Sequence, residues 1–436
     1  MNASTQKINV YWFRRDLRLH DNAGLYSALK SGLPVLPLFI FDSGILEKLE
    51  AEDDARVGFI YDEISRIHNS LRENGAGLFV IKGKPVDVFR KLIEDYHVNE
   101  VFCNRDYEPY AKRRDKELAE FLKKHGISFT SLKDQVIFEG KETLNNQEEP
   151  YKVFTPFKNK WLSVISGQAV ENFPSEKLLA KLISSGPGSI PSLEEIGFRK
   201  SSIPVPDREF DPAIIRSYKN NRDFPSKNGT SRLGIHLRHG TVSIREAVRI
   251  GLKYSDTWLN ELIWREFYMM IMDHFPHVVD QAFRSKYDRI PWINHEENFA
   301  KWCEGHTGYP IVDAGMRQLN ETGYMHNRVR MITASFLTKH LLVDWRWGEA
   351  YFAEKLLDYE LASNNGGWQW AAGTGTDAQP YFRVFNPQSQ AKKYDPHSDY
   401  IRKWVPEFNT DKYPKPIIDH TFARKRAIET YKKVLD

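Results

Sequence analysis

Five short apolar runs separated by amphipathic stretches fill the first 130 residues of the chain. INVYWF (8–13), VLPLFIF (35–41), LFVIKG (78–83), VFCN (101–104) and ISFTSL (127–132) read as buried strands. Between them, 53–74, 85–96 and 109–125 carry apolar residues at three- and four-residue spacing, as surface helices do. Strand–helix alternation at this pitch predicts a doubly wound parallel sheet, because parallel neighbours must be joined by crossovers. No Gly-x-Gly-x-x-Gly follows the first strand and no Walker-type lysine loop is present. The usual phosphate-cradling uses of such a sheet are therefore missing.

Residues 133–205 contain SSGPGSIPS and SSIPVPD and show little periodicity, so they read as a connector between domains. From about 206 the pattern is helical almost throughout, with helices expected over 243–254, 258–275, 310–322, 325–340 and 345–357. The expected organisation is an α/β domain over 1–132, a connector over 133–205 and an all-α domain over 206–436.

Several function classes drop out. No uninterrupted apolar run reaches the roughly 18 residues of a membrane span. MNASTQKINVYWFRR lacks the basic, apolar, small order of a secretory signal. Cys103 and Cys303 stand far apart, which argues against a disulfide scaffold and suits a reducing cytosol. The 14 histidines form no ligand-spaced cluster, so no metal is expected. The net charge of +4 is too mild to declare nucleic-acid binding, although the whole positive excess lies after residue 200. Trp12 and Trp161 precede residue 250 and the other nine of eleven tryptophans follow it, a skew that packing alone accommodates.

Four segments combine residue types that carry chemistry. In DYELASNNGGWQWAAGTGTDAQPYFRVFNP (358–387), Asn-Asn-Gly-Gly reads either as a helix-terminating turn or as a place where a planar ligand approaches the backbone. TSRL (230–233) offers two hydroxyls and a guanidinium to phosphate oxygens, or a plain N-cap. Glu261, Trp264, Arg265 and Tyr268 fall at offsets 0, 3, 4 and 7, one helical face, which suits a pocket or a surface ion-pair network. In MHNRVRMITASF (325–336), Asn327, Arg330 and Met331 share a face, with Arg328 rotated away.

Taken jointly, WFRRDLRLHDN (12–22), VFTPFKNKW (153–161), GTSRL (229–233), NELIWREFY (260–268), GYPIVDAGMRQLNETGYMHNRVRMITASFL (308–337) and NNGGWQWAAGTGTDAQPYFRVFNP (364–387) resemble the DNA photolyase/cryptochrome family. The match runs in order over essentially the whole chain and is nearest to bacterial-type enzymes that repair cyclobutane pyrimidine dimers. It implies FAD held folded in the helical domain and ultraviolet-damaged DNA as partner, met by a monomer. In the reaction it implies, light excites reduced FAD, an electron passes to a flipped-out dimer, the ring splits and the electron returns. Flipping costs a few kcal/mol, less at a damaged step.

By matching motif positions, the resemblance assigns Tyr218, Thr230, Ser231, Arg232, Leu233 and Gly234 to the cofactor's phosphates. Arg330 and Asp358 correspond to a buried ion pair beside the flavin, Glu360 to the acidic residue after it, and Asn364 to the residue facing flavin N5. Glu261, Asn327 and Met331 match dimer contacts, and Trp264 and Trp370 the two indoles against the flipped bases. Arg222, Arg328, Arg383 and Gln390 match positions that touch the DNA backbone. Trp292, Trp345 and Trp368 match the family's photoreduction chain.

Two departures stand out. The loop NRDYEPYAKRRD (104–115), which matches an antenna-chromophore loop, has Tyr110-Ala111 where folate binders have Asn-Glu, so the identity of any folate or deazaflavin antenna stays open. Glu360 replaces an aspartate of close relatives. The rivals are a cryptochrome photoreceptor and a photolyase for the pyrimidine (6-4) photoproduct. Plant cryptochromes carry Asp at the position of Asn364 and a long C-terminal extension, whereas this sequence ends soon after YPKPIIDH. The (6-4) enzymes use pocket histidines, including at the positions of Asn327 and Met331.

Overall fold

In the computed structural model, which describes residues 4–183 and 190–435, the five apolar runs pair in parallel. Strands β1 (Ser4–Phe13), β2 (Val35–Asp42), β3 (Phe79–Gly83), β4 (Tyr96–Asn104) and β5 (Ser128–Leu132) lie in the order β3-β2-β1-β4-β5. The period-2 pleat splits β1 between two cores. Tyr11 and Phe13 pack with Leu25, Ala28 and Leu29 of α1 (Ala23–Lys30). A single turn, α2 (Ser43–Leu46), follows β2, and Ile64, Ile67 and Leu71 of α3 (Ala55–Glu73) join that same core. Val10 and Trp12 point the other way, onto Val88, Phe89 and Leu92 of α4 (Pro85–Asp95) and Leu118 and Leu122 of α5 (Pro109–Lys124). Helices on both faces make the sheet doubly wound, as the alternation predicts.

Sheets of this order bind ligands where the winding reverses, here between β1 and β4. That crevice is filled from within. Asn104 Nδ2 donates to Asp16 Oδ2 at 2.6 Å and to Asn22 Oδ1 at 2.8 Å, and Tyr11 Oη donates to Asn22 Oδ1 at 2.8 Å. Arg14 pairs with Asp115 Oδ2 at 2.7 Å.

The chain divides into two compact units whose segments interleave. Met1–Glu139, Ile165–Arg208 and Leu233–Arg249 form one, and Gly140–Val164, Glu209–Arg232 and Ile250–Asp436 the other. Boundaries at 132 and 205 were contiguous because periodicity reports an element's type, not what it packs on. The stretch read as connector carries α6 (Phe154–Ser166), and its SSGPGS (184–189) lies outside the described residues. Phe157 and Trp161 of α6 are fully buried, and Trp161 Nε1 donates to the buried Glu266 at 2.7 Å.

The remaining helices are α7 (Pro212–Asn221), α8 (Gly234–His239), α9 (Ile244–Tyr254), α10 (Asp256–His274), α11 (Glu296–Glu304) and α12 (Pro310–Thr322). They are followed by α13 (Asn327–Ser335), α14 (Trp345–Lys355), α15 (Leu361–Ala372), α16 (Pro387–Tyr394), α17 (Asp399–Trp404) and α18 (His420–Leu435). The helix expected over 325–340 ends in a π turn, Phe336–His340, where the buried Lys339 Nζ donates to Ala372 O at 2.7 Å. Trp302, Val312, Leu319, Phe336, Trp345 and Trp368 belong to the main core of this unit. Among the described residues no helix is long and apolar enough to cross a membrane, and no cluster of His, Cys, Asp or Glu is placed to hold a metal ion.

Candidate active site

A cavity of about 470 Å³ opens in the helical unit, walled by α7, α10, α13, α15 and the segment 356–360. All four residues of the α10 face, Glu261, Trp264, Arg265 and Tyr268, line it. From α13 come Asn327, Arg328, Arg330 and Met331, so Arg328 is not rotated away from the site as the spacing implied. Its guanidinium is drawn in by Asp223 at 2.7 Å and lies over the Tyr394 ring at 4.4 Å.

Asn-Asn-Gly-Gly does not terminate a helix; it lies inside α15, which ends instead at Gly373 with φ +80. The two glycines do different things. A Cβ on Gly366 would stand 2.1 Å from Tyr268 Cδ1, so the close packing of α15 on α10 requires glycine. A Cβ on Gly367 would meet nothing within 4 Å, and this residue lines the cavity. Trp370 lines it from the same helix.

Four arginine–carboxylate pairs ring the cavity. Arg222 contacts Glu261, Arg265 stands 3.4 Å from Glu360, Arg328 is bonded to Asp223 and Arg330 to Asp358 at 2.9 Å. The Arg330–Asp358 pair forms part of the cavity wall. Its side chains keep 25 and 22% exposure because both form cavity wall, and Arg330 Nε also donates to Met325 O at 2.8 Å. Burial raises the pKa of Glu261 against the opposing pull of Arg222. Burial and the same Glu261 carboxylate keep the Tyr218 phenol protonated.

Asn364 is held by a residue that sequence reasoning missed. Its Nδ2 donates to Glu349 O at 3.1 Å and to Glu349 Oε1 at 2.7 Å, leaving Oδ1 as an acceptor. Burial pushes the Glu349 carboxyl up to about 7, with the Asn364 hydrogen bond opposing. Asp223 was also missed. Its place directly after Arg222 was the one available signal.

Of the segment 230–234, only Thr230 reaches the cavity wall, where its Oγ1 lies 3.1 Å from Tyr324 Oη. Ser231 Oγ accepts from Trp258 Nε1 at 3.3 Å, Arg232 adopts φ +52 with its guanidinium over Tyr324, and Leu233 is buried. Leu233 is also the N-cap position of α8, where Gly234 begins, so the two hydroxyls do not cap a helix. Glu360 lines the cavity and accepts from Ser363 Oγ at 2.9 Å. Arg383 is exposed, and Gln390 sits on α16 one turn before Tyr394.

Trp345 and Trp368 are buried in one core cluster against which Trp292 packs. The ring neighbours of Trp368 include Phe352 at 5.0 Å and Trp302 at 6.0 Å, and those of Trp292 include Tyr431 at 6.0 Å.

The cavity fits the implied FAD on three counts. Gly367 leaves room for a flat group against the backbone, the cavity-lining Trp368 has a buried indole N–H without an acceptor among the described residues, and guanidinium groups suit phosphates. In the α/β unit the loop 104–115 is already engaged: Tyr110 Oη donates to Asp42 Oδ2 at 2.9 Å and Arg15 pairs with Asp106 and Glu108.

Residues 9–177 match the family model described as DNA photolyase, and residues 258–411 the one described as FAD binding domain of DNA photolyase. The deoxyribodipyrimidine photo-lyase of Synechococcus sp. is 36% identical, with 98% of this chain and 96% of the relative covered. A bacterial class III photolyase structure from Agrobacterium tumefaciens superposes with a TM-score of 0.85 at 33% identity, covering 100% of this chain and 99% of that one. An archaeal photolyase from Sulfolobus tokodaii, solved with two FAD molecules, gives 0.84 at 34% identity over 98 and 100%. Both family models fall where the sheet and the helical cavity stand, and the chain belongs to the DNA photolyase family.

Proposed function

We infer that the protein is a light-dependent deoxyribodipyrimidine photo-lyase that splits cyclobutane pyrimidine dimers in ultraviolet-damaged DNA. The observation that carries this reading is the convergence of Glu261, Trp264, Asn327, Met331 and Trp370 on the same cavity as Asn364 and the Arg330–Asp358 pair. Bound reduced FAD supplies light absorption and one-electron chemistry.

The side chains do the rest. Trp264 and Trp370 stack on the flipped bases and replace part of the stacking lost on leaving the duplex. Glu261, on the cavity wall beside Arg222, hydrogen-bonds the pyrimidine edge and stabilises the charge that develops on the dimer. Asn327 and Met331 close the wall beside it. Asn364, oriented by Glu349, would offer its amide oxygen to the flavin ring as an acceptor. Arg330 with Asp358, Glu360, Tyr218 and Thr230 hold the cofactor. Trp368, Trp345 and Trp292 serve its reduction, since indole is readily oxidised. Arg222, Arg328, Arg383 and Gln390 meet the DNA backbone, where contacts position rather than specify. The protein acts as a monomer in a reducing cytosol, in keeping with its two free cysteines.

The dimer is favoured over the (6-4) photoproduct by the placement of His326. Its Nδ1 accepts from Arg328 N at 3.2 Å as the N-cap of α13, while the neighbouring wall is Asn327 and Met331. A Glu261→Ala change is expected to lower repair per bound dimer severalfold and dimer affinity less. A loss of affinity alone would contradict the assigned role.

A further inference from the structure

Trp264 is backed by a residue from far away in sequence. Phe154, the first residue of α6, stacks on the indole with ring centroids 3.6 Å apart and planes 7° from parallel. Phe267 locks the pair edge-on, at 5.8 Å from Phe154 and 5.7 Å from Trp264, and Tyr268 flanks the indole at 5.4 Å. One face of Trp264 is thus covered, while the residue still forms cavity wall. Phe154 is itself 7% exposed and is tied at its backbone. Its N–H donates to Asp377 Oδ2 at 3.1 Å, and Lys152 O accepts from Thr376 Oγ1 at 2.6 Å. Thr376 and Asp377 belong to the loop that follows α15, the helix of Trp370. Residues 152–154 therefore fasten the Trp264 wall to the chain leaving the Trp370 wall.

We propose that Phe154 is a positioning residue for damage recognition, which fixes the plane of Trp264 before the dimer arrives. This rests on the reading that Trp264 stacks on the flipped lesion. An indole held between aromatic neighbours has no rotamer freedom left to lose on binding, and pre-organisation of this kind is expressed as affinity. The dimer itself is not touched by Phe154, so the effect falls on recognition rather than on the yield from bound dimer.

The test compares affinities of the FAD-loaded protein for an oligonucleotide with one thymine dimer and for its undamaged counterpart. Wild type, Phe154→Leu, Phe154→Tyr, Trp264→Ala and the Phe154→Leu/Trp264→Ala double variant are measured, with flavin absorbance confirming loading. Phe154→Leu is expected to lower the damaged-to-undamaged ratio about three- to tenfold, a part of what a base–aromatic stack is worth. Phe154→Tyr restores the ratio, repair per bound dimer in light follows wild type, and the double variant is no worse than Trp264→Ala. Phe154→Met, which keeps apolar volume, gives the same comparison if the leucine variant does not load flavin. An unchanged ratio in Phe154→Leu beside a lowered one in Trp264→Ala would overturn the proposal and spare the role of Trp264. An additive double variant would overturn it too. An unchanged ratio in Trp264→Ala would remove the underlying reading and the proposal together.

Discussion

Glu349 shows how one buried carboxyl sets the behaviour of the residue in front of it. It accepts both hydrogen bonds that orient Asn364, and burial raises its pKa from 4.5 to about 7. A carboxyl raised on folding binds more protons in the folded state than in the unfolded one between those values. Its contribution to stability is therefore complete below 4.5 and is lost as pH rises through about 7. Glu349→Gln keeps an acceptor for Asn364 and removes the titration. Its thermal midpoint is expected to gain on wild type as pH climbs through that window; parallel curves would show that Glu349 does not titrate there. Nothing in the sequence pointed to Glu349, because its partner stands fifteen positions later on another helix. Glu261 was legible for the opposite reason, since α10 repeats one face over two turns and a spacing of 0, 3, 4 and 7 survives folding. Arg328 was misplaced because helical phase ignores a long side chain's reach toward Asp223.

Among the elements, α15 carries the sharpest contrast. Gly366 and Gly367 are neighbours in one helix, yet one is seated against Tyr268 and the other faces open space. Gly366→Ala is expected to destabilise the fold by about 1–3 kcal/mol through overpacking, seen as a lowered unfolding midpoint. Gly367→Ala should leave the fold as stable or slightly more so, because alanine favours helix. Its cost should appear as reduced flavin content of the purified protein. Unchanged flavin content in Gly367→Ala would mean that Gly367 does not border the cofactor. The sheet was readable because each strand carries a short apolar run and stretches of helical spacing separate those runs. In α15 the Asn-Asn-Gly-Gly signal for a turn was outweighed by packing on α10, and in 133–205 the short, polar-flanked α6 gave too little periodicity to stand out.

At the scale of the molecule, the α/β unit packs its sheet between two cores, and the chemistry assigned to the protein sits in the helical unit. Its cavity brings equal numbers of arginines and carboxylates into pairs, so affinity for DNA must draw on cations outside those pairs as well. Arg383 is exposed and is the clearest such cation. Arg383→Ala is expected to lower the slope of log affinity against log salt by about 0.9, as one phosphate contact does, with the damaged-to-undamaged ratio unchanged. An unchanged slope would take Arg383 off the backbone interface. The central claim is the reaction itself, and it is tested most directly by counting dimers. FAD-loaded, reduced protein is mixed with an oligonucleotide bearing a single thymine dimer and sampled by chromatography in darkness and under blue or near-ultraviolet light. The account predicts binding without change in the dark and conversion of the dimer to two thymines, over many turnovers, in the light. Dimer that stays intact in the light, with bound reduced flavin confirmed by its spectrum, would contradict it.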